Sequence, residues 1–557
     1  MRSDKEPIRR GRVAVALVCV ALLAVGIAVP LGVFLRPSSS CEDYTGPLDE
    51  NTIAVFGSSV SNGFMCSGNC SGRARSSLSS QEADLGGCYQ SRLRVWQREH
   101  SGRSVFNNAN NGDSTAKLLR RFCQVLSSRA RYVLFGLSLS NEAKRMGASE
   151  VTREVFDAYH DGLVQLADRT RTAGGYPVIG SCYPRSSGGG GEVTGIAMGG
   201  GVGLLTAVVI AFFMWLVLRR QGLRRPRGAA AASGIGVGIG VGLAVGFAAA
   251  AAAAYKEYTA DEYALIREMN VLTQTSEALG QQPGVNYLGA LDDGHGRIVE
   301  GFFADGGHPN DAGSTEMWLA IVPSLFDAIN AGKPSRVARQ DASGSTGFVS
   351  EGSERRVAFT VPADQPMHSF TFAFAFRCST DCIGASVASV SQAPVAPQSA
   401  RAAVSAPHPL PVAPPSDLKI GIDASGQLST TDERSGIVAA AGPSLTDGDW
   451  HYVAVSHYYA NASTNYYVDG QIVLQTLERR VPSDFVLACS SSAAPSCEYR
   501  DMLIYRSASN GDEVAFLADD TRPTVLQASL EVYAPLTNSS HLAANLAQSL
   551  SEVILDG

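Results

Sequence analysis

Three long apolar runs constrain this chain more than any other feature, because two of them interrupt a region that otherwise reads as one folded unit. Val13 to Leu35 holds 23 residues without a charge. At about 1.5 Å per residue, that crosses a hydrocarbon core of about 30 Å. Arg2, Lys5, Arg9, Arg10 and Arg12 precede it, so the positive-inside bias predicts an uncleaved signal anchor at 13–35 behind a cytoplasmic basic tail at 1–12. A cleaved signal peptide competes with this reading, but its apolar region usually spans only about 7–15 residues. The other two runs, Val193 to Leu218 and Gly228 to Tyr255, are joined by a nine-residue turn holding five arginines. This predicts a transmembrane hairpin over 186–255 with its turn in the cytoplasm and both flanks outside it. Gly234, Gly238, Gly242 and Gly246 would share one helix face, as would Gly195, Gly199 and Gly203, and such small-residue ridges allow close helix packing. A low-complexity insert, or an intervening sequence translated in error, is the alternative for the same residues.

The rest of the 557 residues exceeds what one core supports and predicts two to four units. A formal net charge of −7 argues against a nucleic-acid partner. Cys19 lies in the first apolar run. Six cysteines follow before residue 183 (Cys41, Cys66, Cys70, Cys88, Cys123, Cys182) and four after it (Cys378, Cys382, Cys489, Cys497). Both counts are even, as a disulfide framework in an exported protein requires, with connectivity open. Zinc is disfavoured, because neither Cys66-x3-Cys70 nor Cys378-x3-Cys382 has a second close pair in sequence. Asn69, Asn461 and Asn538 begin glycosylation sequons that an exported glycoprotein would use.

Over 50–183 and 256–332, short β-branched runs alternate with helical patterns. Ile53–Phe56, Tyr132–Phe135 and Pro177–Gly180 read as strands, and Val151–Arg171 and Asp261–Leu279 as helices. Strands apolar throughout predict a parallel sheet covered on both faces, and ligands of such sheets sit at the strands' carboxyl ends. Small polar blocks stand there: Gly57-Ser58-Ser59-Val60-Ser61-Asn62-Gly63, Asn107 to Thr115, and Gly136-Leu137-Ser138-Leu139-Ser140-Asn141-Glu142, with Asp305-Gly306-Gly307-His308-Pro309-Asn310 near the end of the unit.

Taken in order, these blocks resemble the four blocks of the SGNH (GDSL-type) esterases and acylhydrolases. The resemblance covers the whole unit except the apolar hairpin and implies a flavodoxin-like three-layer α/β/α hydrolase domain. It implies Ser59 as nucleophile, His308 as base and Asp305 as the group orienting the imidazole. The backbone N–H groups of Ser59 and Gly112 and the side-chain amide of Asn141 would form the oxyanion hole. The chemistry suits these residue types, since a hydroxyl needs an adjacent base and the tetrahedral oxyanion needs fixed donors. The bland readings are a helix cap for Ser59 and Asn141, a turn glycine for Gly112 and a loop residue for His308. Ser58 departs from the aspartate commoner in the family at that position.

From 345 to 530 the pattern turns β-rich. Val357–Val361 and Phe370–Phe376 alternate with period two, predicting half-buried antiparallel strands. Asp447 to Ser456 leads into Asn465–Val473, where Asp469-Gly470 predicts a hairpin turn. Leu503–Arg506 and Asn510–Val514 follow. These stretches resemble the laminin-G/concanavalin-A-like jelly roll, an all-β sandwich whose members often bind glycans or proteins, some with calcium; no calcium ligand is assigned here. Ala393 to Pro415 holds seven prolines and predicts an exposed insertion. Trp450 is read as core rather than as a ligand platform, and the tail, 531–557, as one short amphipathic helix.

The expected protein is therefore a membrane-tethered extracytoplasmic serine esterase. It would act without a cofactor on carboxylic esters, with carbohydrate O-acyl esters first and lipid esters second, and the sandwich would place it on a glycan or protein surface. The contrasting expectation is a non-catalytic adhesion protein that recognises glycans through the sandwich.

Overall fold

The computed structural model describes residues 47–64, 66–67, 87–186, 256–280, 282–340, 347–351, 355–393, 417–432, 436–439, 442–491, 495–537, 542 and 544–556. The expected anchor at 13–35, the hairpin beyond Ser186, the proline-rich insertion beyond Ala393 and the sequons at Asn69 and Asn538 lie outside the described residues. Among the described residues, no helix is long and apolar enough to cross a membrane.

The first unit is built on five parallel strands: β1 (Asp49–Gly57), β2 (Ser104–Asn107), β3 (Ala130–Gly136), β4 (Tyr176–Gly180) and β5 (Gly284–Val285), in the order β2-β1-β3-β4-β5. The three expected strands are β1, β3 and β4, and their buried runs explain why they read as continuously apolar. Sequence reading missed β5, which is only two residues long and carries no run to detect. Helices 153–172 and 260–275 form where expected, capped by Thr152 and by a Thr259–Glu262 capping box. One core lies on each face of the sheet. Phe56, Val133, Phe135, Leu163 and Met269 fill one side, and Val55, Leu134, Tyr89, Tyr287 and Phe326 the other. All strands run the same way, so their carboxyl ends, Gly57, Gly136 and Gly180 among them, gather along one rim.

The second unit is an antiparallel sandwich. One sheet pairs 471–477, 463–468, 451–458, 370–377, 496–505 and 530–534 in that order, with 348–351 also on 496–505. The other pairs 436–439, 428–432, 418–422, 386–392, 482–490, 356–360 and 554–556. Asp469 (φ 50°) and Gly470 (φ 80°) both take left-handed backbone at the expected hairpin turn, the geometry a two-residue loop needs.

Several expectations need correction. Strand 370–377, expected half-buried, is buried at six of its eight positions. Phe370, Phe372, Phe374 and Phe376 pack into the core between the sheets, and Ala373 joins Val337, Tyr452, Val514 and Tyr533 on the other face, so neither face is left to water. The tail is not a helix. Leu530–Ala534 and Ile554–Asp556 are strands, one in each sheet, and Ile554–Asp556 pairs with Arg356–Ala358. Trp450 is half-buried and stands outside the core, stacked under the guanidinium groups of Arg500 at 3.9 Å and Arg377 at 4.8 Å. The even cysteine counts do not resolve into complete pairing. Cys489 bonds Cys497, and Cys88 and Cys123 are also disulfide-bonded. Cys66, Cys182, Cys378 and Cys382 keep free thiols. Cys182 packs in the apolar core, where burial pushes its thiol up to about 12 and makes it a small hydrophobe.

The two units are docked rather than strung. The Asn270 and Asn286 side chains of the first donate to Glu513 Oε1 of the second at 2.8 and 2.9 Å, and the Ala528 N–H donates to Gln274 Oε1 at 2.8 Å. The Asn461 amide of the sandwich donates to the Asp293 carbonyl at 3.1 Å, so a glycan on this sequon would displace a contact between the units.

Candidate active site

The rim formed by the strand ends holds a hydrogen-bonded relay. Ser59 opens a four-residue helix, Ser59–Asn62, immediately after β1. The helix-cap position belongs to Ser58, whose side chain makes no capping bond. Ser59 instead lies 2.7 Å, Oγ to Nε2, from His308. Two glycines make room for this turn. A Cβ on Gly57 would meet the Gly136 carbonyl at 2.1 Å, and one on Gly136 would meet Ser61 Oγ at 2.1 Å. Ser61, beneath the turn, donates to that carbonyl at 2.9 Å and accepts from Tyr89 Oη at 2.9 Å, which fixes the turn from below.

Asp305 and His308 face each other across a two-stranded hairpin of 303–305 and 308–309. Asp305 Oδ1 lies 2.7 Å from His308 Nδ1 and also accepts the Gly307 N–H at 2.9 Å. Burial alone would raise the Asp305 carboxyl. The hydrogen bond and charge of His308, with the Gly307 amide, outweigh it and hold the group below the usual carboxylate range. An ionised carboxylate accepts the proton on Nδ1, which leaves the Nε2 lone pair to accept the Ser59 hydroxyl. Phe64 packs against the imidazole with ring centroids 4.8 Å apart.

Asn141 lines the same pocket as Ser59 and His308. Its Nδ2 donates to the Asp113 carbonyl at 3.2 Å. One amide hydrogen is thus held, and the other is left for a ligand oxygen. Gly112, one residue before Asp113, takes left-handed backbone at φ 72°, which only glycine adopts freely. It lies outside the pocket wall proper, joined to the site through the Asp113–Asn141 bond. The structure therefore gathers Ser59, His308, Asp305 and Asn141 tightly and Gly112 at one remove.

Sequence reading missed four wall residues: Lys144, Tyr183, Arg185 and Tyr258. Lys144 stands one helical turn after Asn141, a spacing that was open to detection. Arg185 and Tyr258 come from the two edges of the apolar interruption, 73 positions apart in the chain, and nothing local links them.

No protein-family model matches the chain, and no curated protein matches it. Solved structures similar to parts of this chain include esterases, an acylhydrolase, a pentraxin and a carbohydrate-binding protein, at identities of 18% or less and TM-scores of 0.29 or less. An acetyl-xylooligosaccharide esterase variant from Geobacillus is 12% identical over 48% of this chain and 91% of its own, with a TM-score of 0.27. The pentraxin of Limulus polyphemus is 10% identical over 38% of this chain and 95% of its own, with a TM-score of 0.23. A Bacteroides ovatus protein assigned to carbohydrate binding is 12% identical over 35% of this chain, with a TM-score of 0.25; the chain spans about half of that protein's length (53%).

Proposed function

We propose that this protein is a serine esterase that hydrolyses carboxylic esters through an acyl-Ser59 intermediate. The observation that carries the reading is the unbroken line Ser59 Oγ–His308 Nε2 and His308 Nδ1–Asp305, at 2.7 Å in each link. In the acylation step Ser59 Oγ bonds the substrate carbonyl carbon while its proton passes to His308 Nε2. Asp305 stabilises the imidazolium so formed. The negative charge on the former carbonyl oxygen is met by the Ser59 N–H and the remaining amide hydrogen of Asn141, while Gly112, outside the pocket wall, acts through the Asp113–Asn141 bond. His308 then returns its proton to the departing alkoxide as the carbon–oxygen bond breaks. Water, deprotonated by the same imidazole, attacks the acyl carbon; the carbon–Oγ bond breaks, His308 returns the proton to Ser59 Oγ, and the acid is released.

Short acyl esters of carbohydrates are the substrate class in this reading, supported by the union of an esterase-like sheet with a lectin-like sandwich on one chain. The basic tail and apolar run at 1–35 support a membrane tether with both units on the extracytoplasmic side. Purified protein should release 4-nitrophenol from 4-nitrophenyl acetate with saturation kinetics. Absence of turnover on a panel of acetyl to octanoyl esters would overturn the esterase reading in favour of a binding protein.

A further inference from the structure

The pocket that holds Ser59 and His308 carries two cationic side chains, Lys144 and Arg185, and among the described residues its wall includes no carboxylate. Arg185 is drawn out of water, while Lys144 is exposed; desolvation of its ammonium by the packing around it, together with the neighbouring Arg185 charge, lowers it below the ordinary lysine value. Arg185 is only 8% exposed, with its guanidinium 4.3 Å above the Tyr258 ring and Nη1 3.4 Å from Ser140 Oγ. Its Nε is buried without a hydrogen-bond partner. A buried donor left unpaired is costly unless a ligand completes it.

The acidic groups around this pocket are already committed. Glu262 approaches Arg185 at 3.7 Å, but its oxygens take the Val151 N–H at 2.8 Å and the Thr259 N–H at 2.9 Å. Glu142 accepts from Thr115 and from Arg145. Asp305 is held by His308 and Gly307. These bonds leave Glu262 and Asp305 their charge, and Glu262 pairs with Arg185, but neither carboxylate lines the pocket, where a guanidinium and an ammonium together suit a planar carboxylate.

We infer that Lys144 and Arg185 form a carboxylate subsite beside the catalytic serine, so that the favoured substrates are esters carrying an acidic group. This rests on the esterase reading above. The carboxylate could belong to the acyl part, as in a dicarboxylic half-ester, or to the alcohol, as in an acylated acidic sugar. Both present the same anion, and substrates separate them. Tyr258, hydrogen-bonded to Ser140 at 2.9 Å and stacked beneath Arg185, positions the guanidinium.

The test compares kcat/KM within two matched pairs: mono-4-nitrophenyl succinate against 4-nitrophenyl acetate, and 4-acetoxybenzoate against its methyl ester. In one pair the acidic member should be preferred by about tenfold or more, a charge-assisted contact's worth. Lys144→Gln should cut that ratio about tenfold, and Arg185→Lys, which keeps the charge facing Glu262, about threefold. No preference in either pair, or an unchanged ratio in Lys144→Gln, would overturn the subsite. Should the protein hydrolyse none of the four esters, the esterase reading fails and the subsite is judged on binding alone. Calorimetry on Ser59→Ala then decides, since tighter binding of an acidic member upholds the subsite and equal binding overturns it.

Discussion

Each unit of this molecule holds a buried histidine between acidic and polar partners, and only one of them is placed for chemistry. In the sandwich, His451 Nδ1 meets Asp469 at 2.8 Å and its Nε2 meets Asp447 at 3.2 Å. Both ring nitrogens face carboxylates, and the Asp469 hydrogen bond leads the effects that raise its pKa. A ring tied to a carboxylate at both ends braces the strand entry against the hairpin turn and keeps neither nitrogen for a substrate. In the parallel sheet, His308 spends one nitrogen on Asp305 and the other on a serine at a glycine-lined turn. The partner of the second nitrogen separates structure from catalysis, and a histidine–aspartate contact alone says little.

The sharpest way to break this contrast is to remove the nucleophile. Ser59→Ala should lower kcat/KM on 4-nitrophenyl acetate by about 10,000-fold or more while leaving the thermal midpoint near wild type. Next come the two aspartates. Asp305→Asn should cost about 1,000- to 10,000-fold, because the amide favours the wrong tautomer. Asp469→Asn, in the His451 pair, should leave turnover within about twofold and lower only stability, by about 1–2 kcal/mol in urea unfolding. Equal losses in both variants would erase the distinction. Asn141→Ala should fall in kcat by about 100- to 1,000-fold with little change in KM, as the loss of one oxyanion donor does.

The smallest effect concerns the docking of the two units. Burial pushes the Glu513 carboxyl up to about 7 from 4.5. The folded protein thus holds that proton more tightly than the unfolded chain does. The stability this contributes is complete below about 4.5 and is lost as pH rises through about 7. Glu513→Gln should flatten the fall in thermal midpoint between about pH 5 and about pH 8, where the wild type declines. A wild-type midpoint that rises over this range would contradict the assignment.

Much of the rim around Ser59 was legible in the sequence, because each polar block directly follows a strand or sits in one tight hairpin. Ser59, Asp305, His308 and Asn141 meet as the block order implied. The sandwich was legible in its hairpin, where Asp469-Gly470 dictates the turn, and less so at its edges. Leu530–Ala534 is apolar but follows a long irregular stretch, and Ile554–Asp556 gains its strand only from Arg356–Ala358 nearly 200 positions earlier. Free Cys182 was hidden for a different reason, since parity cannot tell a buried thiol from a bridged one. Arg185 and Tyr258 converge only when both edges of the apolar interruption fold onto one rim.

The central claim is that Ser59 is the activated nucleophile, and the direct measurement is covalent. The purified protein should be treated with a fluorophosphonate, digested and read by mass spectrometry. One adduct per chain is expected on the peptide bearing Ser59, fast at neutral pH and abolished in His308→Ala. No adduct, or one placed on another serine such as Ser58 or Ser61, would contradict it.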